Sequence, residues 1–143
     1  MTNKRAAPPS ADPEMSGWIS YNFAVLRVVP HVHLGTFIPV GIVLHARTTE
    51  FIAARMLNDL THLREHMEGM DVELLSRYLR SCEAICAGDT TAGPIALAPP
   101  SERFHWLTAP RSDVIQCGPV HEGLCENPAN TLNELFKSLV QAK

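Results

Sequence analysis

No run of apolar residues in this chain approaches the roughly 18 needed to cross a bilayer. The stretch Met1 to Glu14 also lacks the apolar core of a secretory signal, so a cytoplasmic protein with no membrane partner is expected. Basic excess is missing too. The formal net charge is -3 and the pI about 6.1, which leaves no broad positive footprint and disfavours a general nucleic-acid binder. There is no phosphate-cradling glycine loop, no nucleophile elbow and no dinucleotide fingerprint, so no catalytic constellation is recognisable and no cofactor is implied. Without an export signal, the four cysteines read as free thiols of a reducing compartment rather than as two bridges.

What is present is an ordinary globular composition, 45% hydrophobic and 19% charged, over 143 residues, which is the usual size of one domain with one core. Residues 1–16, with Pro8, Pro9 and Pro13, read as a disordered tail, and residues 17–143 as a single domain. From Trp18 to Pro30, β-branched and aromatic residues predict a strand that is apolar on both faces and therefore central. A second strand is expected from Phe37 to Ala46, with Pro39 and Gly41 marking a start, an edge or a bulge. A third runs from Glu50 to Met56 after a turn at Arg47 to Thr49.

The period then lengthens toward 3.6. Asn58 or Asp59 caps a short helix ended by Gly69. Asp71 caps a better one in which Leu75, Tyr78, Leu79, Cys82, Ile85 and Cys86 form one stripe that Gly88 stops, with Arg77 and Arg80 facing solvent. Asp89 to Pro100 reads as a loop, Arg103 to Thr108 and Asp113 to Cys117 as strands, and Asn127-Pro128 as the opening of a final helix with Leu132, Leu135, Phe136, Leu139 and Val140 on one face. The expected fold is α+β, an antiparallel sheet of about five strands with helices packed on one face, in the order β-β-β-α-α-β-β-α.

His62-Leu63-Arg64-Glu65-His66 has the form of a zinc-binding motif with a glutamate base, but the pattern is short, has no third ligand and reads as a solvated helix face. His31 and His33 sit in a turn between strands, and Cys82 and Cys86 lie on the apolar stripe, where cysteine packs as a small hydrophobe. The gap between Cys117 and Cys125 matches no zinc spacing, so no metal is assigned. The segment richest in chemistry is Ser101 to Asn127, which gathers Arg103, His105, Trp106, Arg111, Ser112, Gln116 and His121. Arginine supplies a planar fork of donors and histidine a charge that changes near neutral pH. Arg103, Arg111, Ser112, Gln116 and His121 are therefore the candidates for holding an anion or an acidic group of a partner.

The runs YNFAVLRVVPHVHLGTFIPVGIVL (Tyr21 to Leu44), ICAGD (Ile85 to Asp89) and SERFHWLTAPRSDVIQCGPVHEGL (Ser101 to Leu124) resemble the bacterial domain-of-unknown-function family 3037, from about Tyr21 to Val140. The resemblance implies that Arg27, Ser101, Phe104, Thr108, Pro110, Arg111, Gln116 and His121 lie in the family's characteristic runs. Pro39 and Gly118 depart from its commoner asparagine and serine. It implies no activity. Through the genes beside which such proteins are encoded, it points to a kinase resembling the HipA persistence kinase as a partner. The expected function is a non-catalytic accessory or regulatory protein working through protein contacts, with such a kinase or a second copy of itself. The alternative is an anion- or phosphometabolite-binding domain or enzyme that uses Arg111 and His121.

Overall fold

A strand that is apolar on both sides has to be covered twice, and the segment Ile19–Val28 (β1) is built that way. The computed structural model describes residues 17–29, 37–65, 71–109 and 115–141. β1 lies inside a five-stranded antiparallel sheet. Along one edge it pairs with Ile38–Ala46 (β2), which in turn pairs with Phe51–Met56 (β3). Its other edge is shared by two short strands. Ile115–Cys117 (β4) pairs with Val28 to Leu26, and His121–Cys125 (β5) pairs with Phe23 to Ile19. Among the described residues three α-helices complete the fold: Val72–Cys86 (α1), Pro100–Thr108 (α2) and Pro128–Phe136 (α3), the last continued by a π-helical turn, Lys137–Gln141. None of them is long and apolar enough to cross a membrane.

The α+β class and the order β-β-β-α-α-β-β-α hold. The helices, however, divide between the two faces of the sheet. Leu26 and Val28 of β1 and Val43 of β2 pack with Leu75, Leu79 and Cys82 of α1 and with Phe104 and Leu107 of α2. On the opposite face Ile42 and Leu44 pack with Leu132, Phe136 and Val140 of α3 and its extension, flanked by Phe23 and Val25. The physical cause is the double-sided apolarity of β1 and β2, which one layer of helices cannot bury.

Caps read from the sequence are made. Asp71 accepts from the Leu74 amide at 3.0 Å, and Asn127 from the Asn130 amide at 3.1 Å with Pro128 following it. Gly88 takes a left-handed φ of 76° beyond α1. Two segments fill the order differently than expected. Among the described residues the stretch from Asn58 forms a five-residue 3-10 turn, Thr61–Glu65, rather than the start of an α-helix, with Asp59 bonded to the Thr61 amide; the rest of the expected helix, to Gly69, lies outside the described residues. The stretch Arg103 to Thr108 is helix rather than strand. Pro100 occupies its first turn, and Phe104 and Leu107, three apart, are its buried pair. Arg80 does not simply face solvent: it donates to the Leu57 carbonyl at 2.7 Å and pairs with Glu83, whose carboxylate accepts from the Met56 amide at 3.1 Å. Together they close the end of β3. Residues 1–16, His31, His33 and His66 lie outside the described residues.

The irregularity expected at Pro39 and Gly41 is a β-bulge. Leu26 is opposite Gly41 and Arg27 opposite Pro39, so Val40 has no partner on β1, and its carbonyl instead accepts from the Leu57 amide at 2.8 Å. A side chain at position 41 would collide with Met56, which explains the glycine. The bulge puts Val40 into the same core as Val43 while Pro39 stays on the other face beside Arg27.

His45 is the one buried polar side chain among the described residues, 5% exposed and stacked on Phe104 at 5.4 Å between centroids. Burial, aided by the charge of Arg47, holds its pKa below the ordinary 6.5. The unfolded chain therefore binds a proton that the folded chain refuses. Stability is unaffected by this group above pH 6.5 and falls as the pH drops from 6.5 through the lower folded value. Chemical denaturation at pH 7.5 and 5.5 should show a larger loss for the wild type than for His45→Gln, and equal losses would contradict the assignment.

Candidate functional site

Tyr21, Phe23, Val25 and Arg27 share the face of β1 that α3 covers, and all four are only partly buried. Their partners across the sheet explain the gap. Between the pairs Leu26–Cys117 and Phe23–His121, β1 has two residues and the edge has three, Gly118, Pro119 and Val120. β4 and β5 are thus one edge strand interrupted by an extra residue, at which the Gly118 amide still bonds the Val25 carbonyl at 2.8 Å. Pro119, with no amide hydrogen to donate, sits where the ladder breaks.

An open groove of about 520 Å³ lies against this stretch. Phe23, Val25 and Arg27 form its floor. Gly118, Pro119 and His121 wall it on one side and Phe37 and Pro39 on the other, while Leu139 of the π-helical turn borders it from α3. The lining is apolar apart from Arg27 and His121. Phe37 and Leu139 remain 50% and 40% exposed, and the His121 ring lies 5.1 Å from that of Phe23.

Arg27 is the chemically unusual member. Its guanidinium lies under the Phe37 ring at 4.4 Å, and its Nε is buried without a hydrogen-bond partner. Among the described residues the ion pair present is Arg80–Glu83, and no carboxylate of these residues pairs with Arg27. A buried donor left unmet costs on the order of 1–3 kcal/mol, more when charged; among the described residues Arg80 Nε is likewise unmet. At Cys117, next along the edge, burial pushes the thiol up to about 11, with Arg27 pulling the other way, which disfavours the thiolate. The four cysteines are free, and burial takes Cys86 to about 12. Among the described residues no three His, Cys, Asp or Glu side chains gather as metal ligands, and His62 is exposed on its 3-10 turn.

Of the five residues singled out in the sequence, the structure brings two to this face. His121 lines the groove, and Gln116 pairs with Arg27 and so projects to the same side. Arg103 lies on the other face of the sheet. Its Nη1 donates to the carbonyls of Ile85 and Cys86 at 3.0 and 2.9 Å, and its Nε to that of Ala98 at 2.8 Å, closing the C-terminus of α1. Arg111 and Ser112 lie outside the described residues. Arg27 and Phe37 were missed as site residues. The available signal was a lone arginine inside an apolar run on a central strand, where a charge is expensive unless it has something to bind.

Residues 23–140 match the model of the family described as Protein of unknown function (DUF3037). The chain belongs to this family. No curated protein and no solved structure matches it. The match begins at Phe23, inside β1, and runs to Val140, so every residue lining the groove, from Phe23 to Leu139, lies within it.

The two arginines should separate in a melting experiment. Arg103→Ala removes three bonds to helix-end carbonyls and should lower stability by about 2 kcal/mol, several degrees in Tm. Arg27→Met keeps the aliphatic bulk, removes the unmet donor and should leave Tm unchanged or raise it. A large loss at Arg27 would make it a fold determinant.

Proposed function

We propose that this protein is a non-catalytic accessory or regulatory module that works by docking a partner protein in the groove along β1. The observation that carries the reading is the pair of large apolar side chains, Phe37 and Leu139, left half exposed around a guanidinium that has no counter-charge among the described residues. Exposed apolar surface collected around one polar anchor is the usual composition of a recognition site. The partner suggested by family resemblance is a kinase resembling the HipA persistence kinase. A second copy of the chain is the other occupant to consider. A sizing column loaded with the protein and the product of its neighbouring gene tests this. Co-elution at micromolar concentration is expected, with separation restored by Leu139→Asp. Independent elution of the wild-type pair would sink the kinase reading, and a concentration-dependent dimer alone would transfer the groove to self-association.

The volume of the groove favours a second reading, because about 520 Å³ lies within the range of small-ligand sites. It is an anion or phosphometabolite site using His121, with Gln116 on the same face, and Arg111, which lies outside the described residues, as its further expected member. A thermal-shift screen against nucleotides, sugar phosphates and carboxylic acids addresses it. A ligand at a hundred times its Kd adds about 2.7 kcal/mol, and flat melting curves throughout would remove the reading.

A further inference from the structure

We infer that the occupant of the groove is an extended, acidic segment of a partner chain whose carboxylate is received by Arg27 and whose neighbouring apolar side chains rest on Phe37 and Leu139. This rests on the docking reading above and adds the chemistry of what docks. Three observations select it.

Charge comes first. Among the described residues the lining contains one guanidinium and no aspartate or glutamate, so the group that complements it is an anion. A carboxylate matches the flat arginine fork with two parallel hydrogen bonds, whereas a phosphate carries more charge and more oxygens than a single guanidinium in an apolar groove can satisfy.

Access comes second. Gly118 faces the guanidinium, and a Cβ built there would stand 3.3 Å from the Arg27 Nη1. The missing side chain keeps that flank of the arginine clear. Dimensions come third. From Phe23 to Arg27 the floor runs four residues along a strand, about 13 Å at ~3.3 Å each. That length suits three or four residues of extended peptide, while a small carboxylate would occupy one end and leave either Leu139 or Phe37 uncovered.

The experiment follows backbone amide signals by NMR during titration with the blocked pentapeptide acetyl-Leu-Glu-Leu-Glu-Leu-amide and its glutamine counterpart. The expected result is saturable shifts centred on Arg27, Gly118 and His121 with the glutamate peptide, and binding at least tenfold weaker with the glutamine peptide. Arg27→Met should erase the difference, and Arg27→Lys, which keeps the charge but loses the fork, should reduce it. The wild-type comparison stands by itself if either variant fails to fold. Equal affinity for both peptides would overturn the carboxylate assignment and leave the docking reading in place. No shift at the groove with either peptide would overturn both. Binding of N-acetyl-leucine as tight as that of the pentapeptide would overturn the assignment to a chain segment in favour of a small carboxylate.

Discussion

Everything in this fold is arranged around the need to bury both faces of β1 while pairing both of its edges. Ala24, Leu26 and Val28 are fully covered on the α1–α2 side. Their neighbours Phe23, Val25 and Arg27 are only half covered, because α3 lies over β2 and β3 and reaches β1 with little more than its last turn. Three helices cannot cover two faces of five strands completely when two of them lie on one side. The shortfall appears where the covering helix stands farthest from the strand.

Two backbone irregularities then shape that shortfall into a site. On one flank of β1 the bulge at Val40 presents Pro39 opposite Arg27, and on the other the extra residue at Gly118 to Val120 breaks the edge ladder opposite Ala24 and Val25. Each carries a proline, which supplies no ladder donor, and both neighbours pair regularly at Arg27 and Val28 but lose their regular ladder on the side toward Val25. The groove is therefore a consequence of register. Paired regularly from Cys117 onward, the same sequence would put Val120 opposite Phe23 and His121 opposite Asn22, turning His121 away from Phe23.

Elements whose signals are local were legible in the sequence: the strands β1 to β3, the Asp71 and Asn127 caps, the stripe of α1 and the face of α3. Where the structure departs from the sequence reading, the local signal was misleading or absent. Phe104, Trp106 and Thr108 alternate like a strand, and only the Pro99-Pro100 opening and the spacing of Phe104 and Leu107 favour the helix that forms. β5 has no local signal at all. His-Glu-Gly-Leu-Cys contains no β-branched residue and a central glycine, and it is held as a strand by pairing with β1, with Tyr21 lying over the space that a Gly123 side chain would need. The site suffered accordingly. Gln116 and His121 stand out as polar residues in a rich segment, but Arg27 joins them only through pairings between positions about ninety apart, which no sequence window contains.

That separation explains why Arg103 and Arg27, two arginines in similarly apolar surroundings, have opposite meanings. Arg103 finds three carbonyls at the end of α1, so its charge is consumed within the fold, and its place in a chemistry-rich segment reflects helix closure. Arg27 has the Phe37 ring over its plane and a buried Nε without a partner, so the desolvation of that donor is not offset by a bond to it. Methionine or leucine at that position would continue the pattern of Phe23 and Val25 and bury more comfortably. A residue that local packing does not require, facing the part of its strand left uncovered, is the one on which the proposed docking depends.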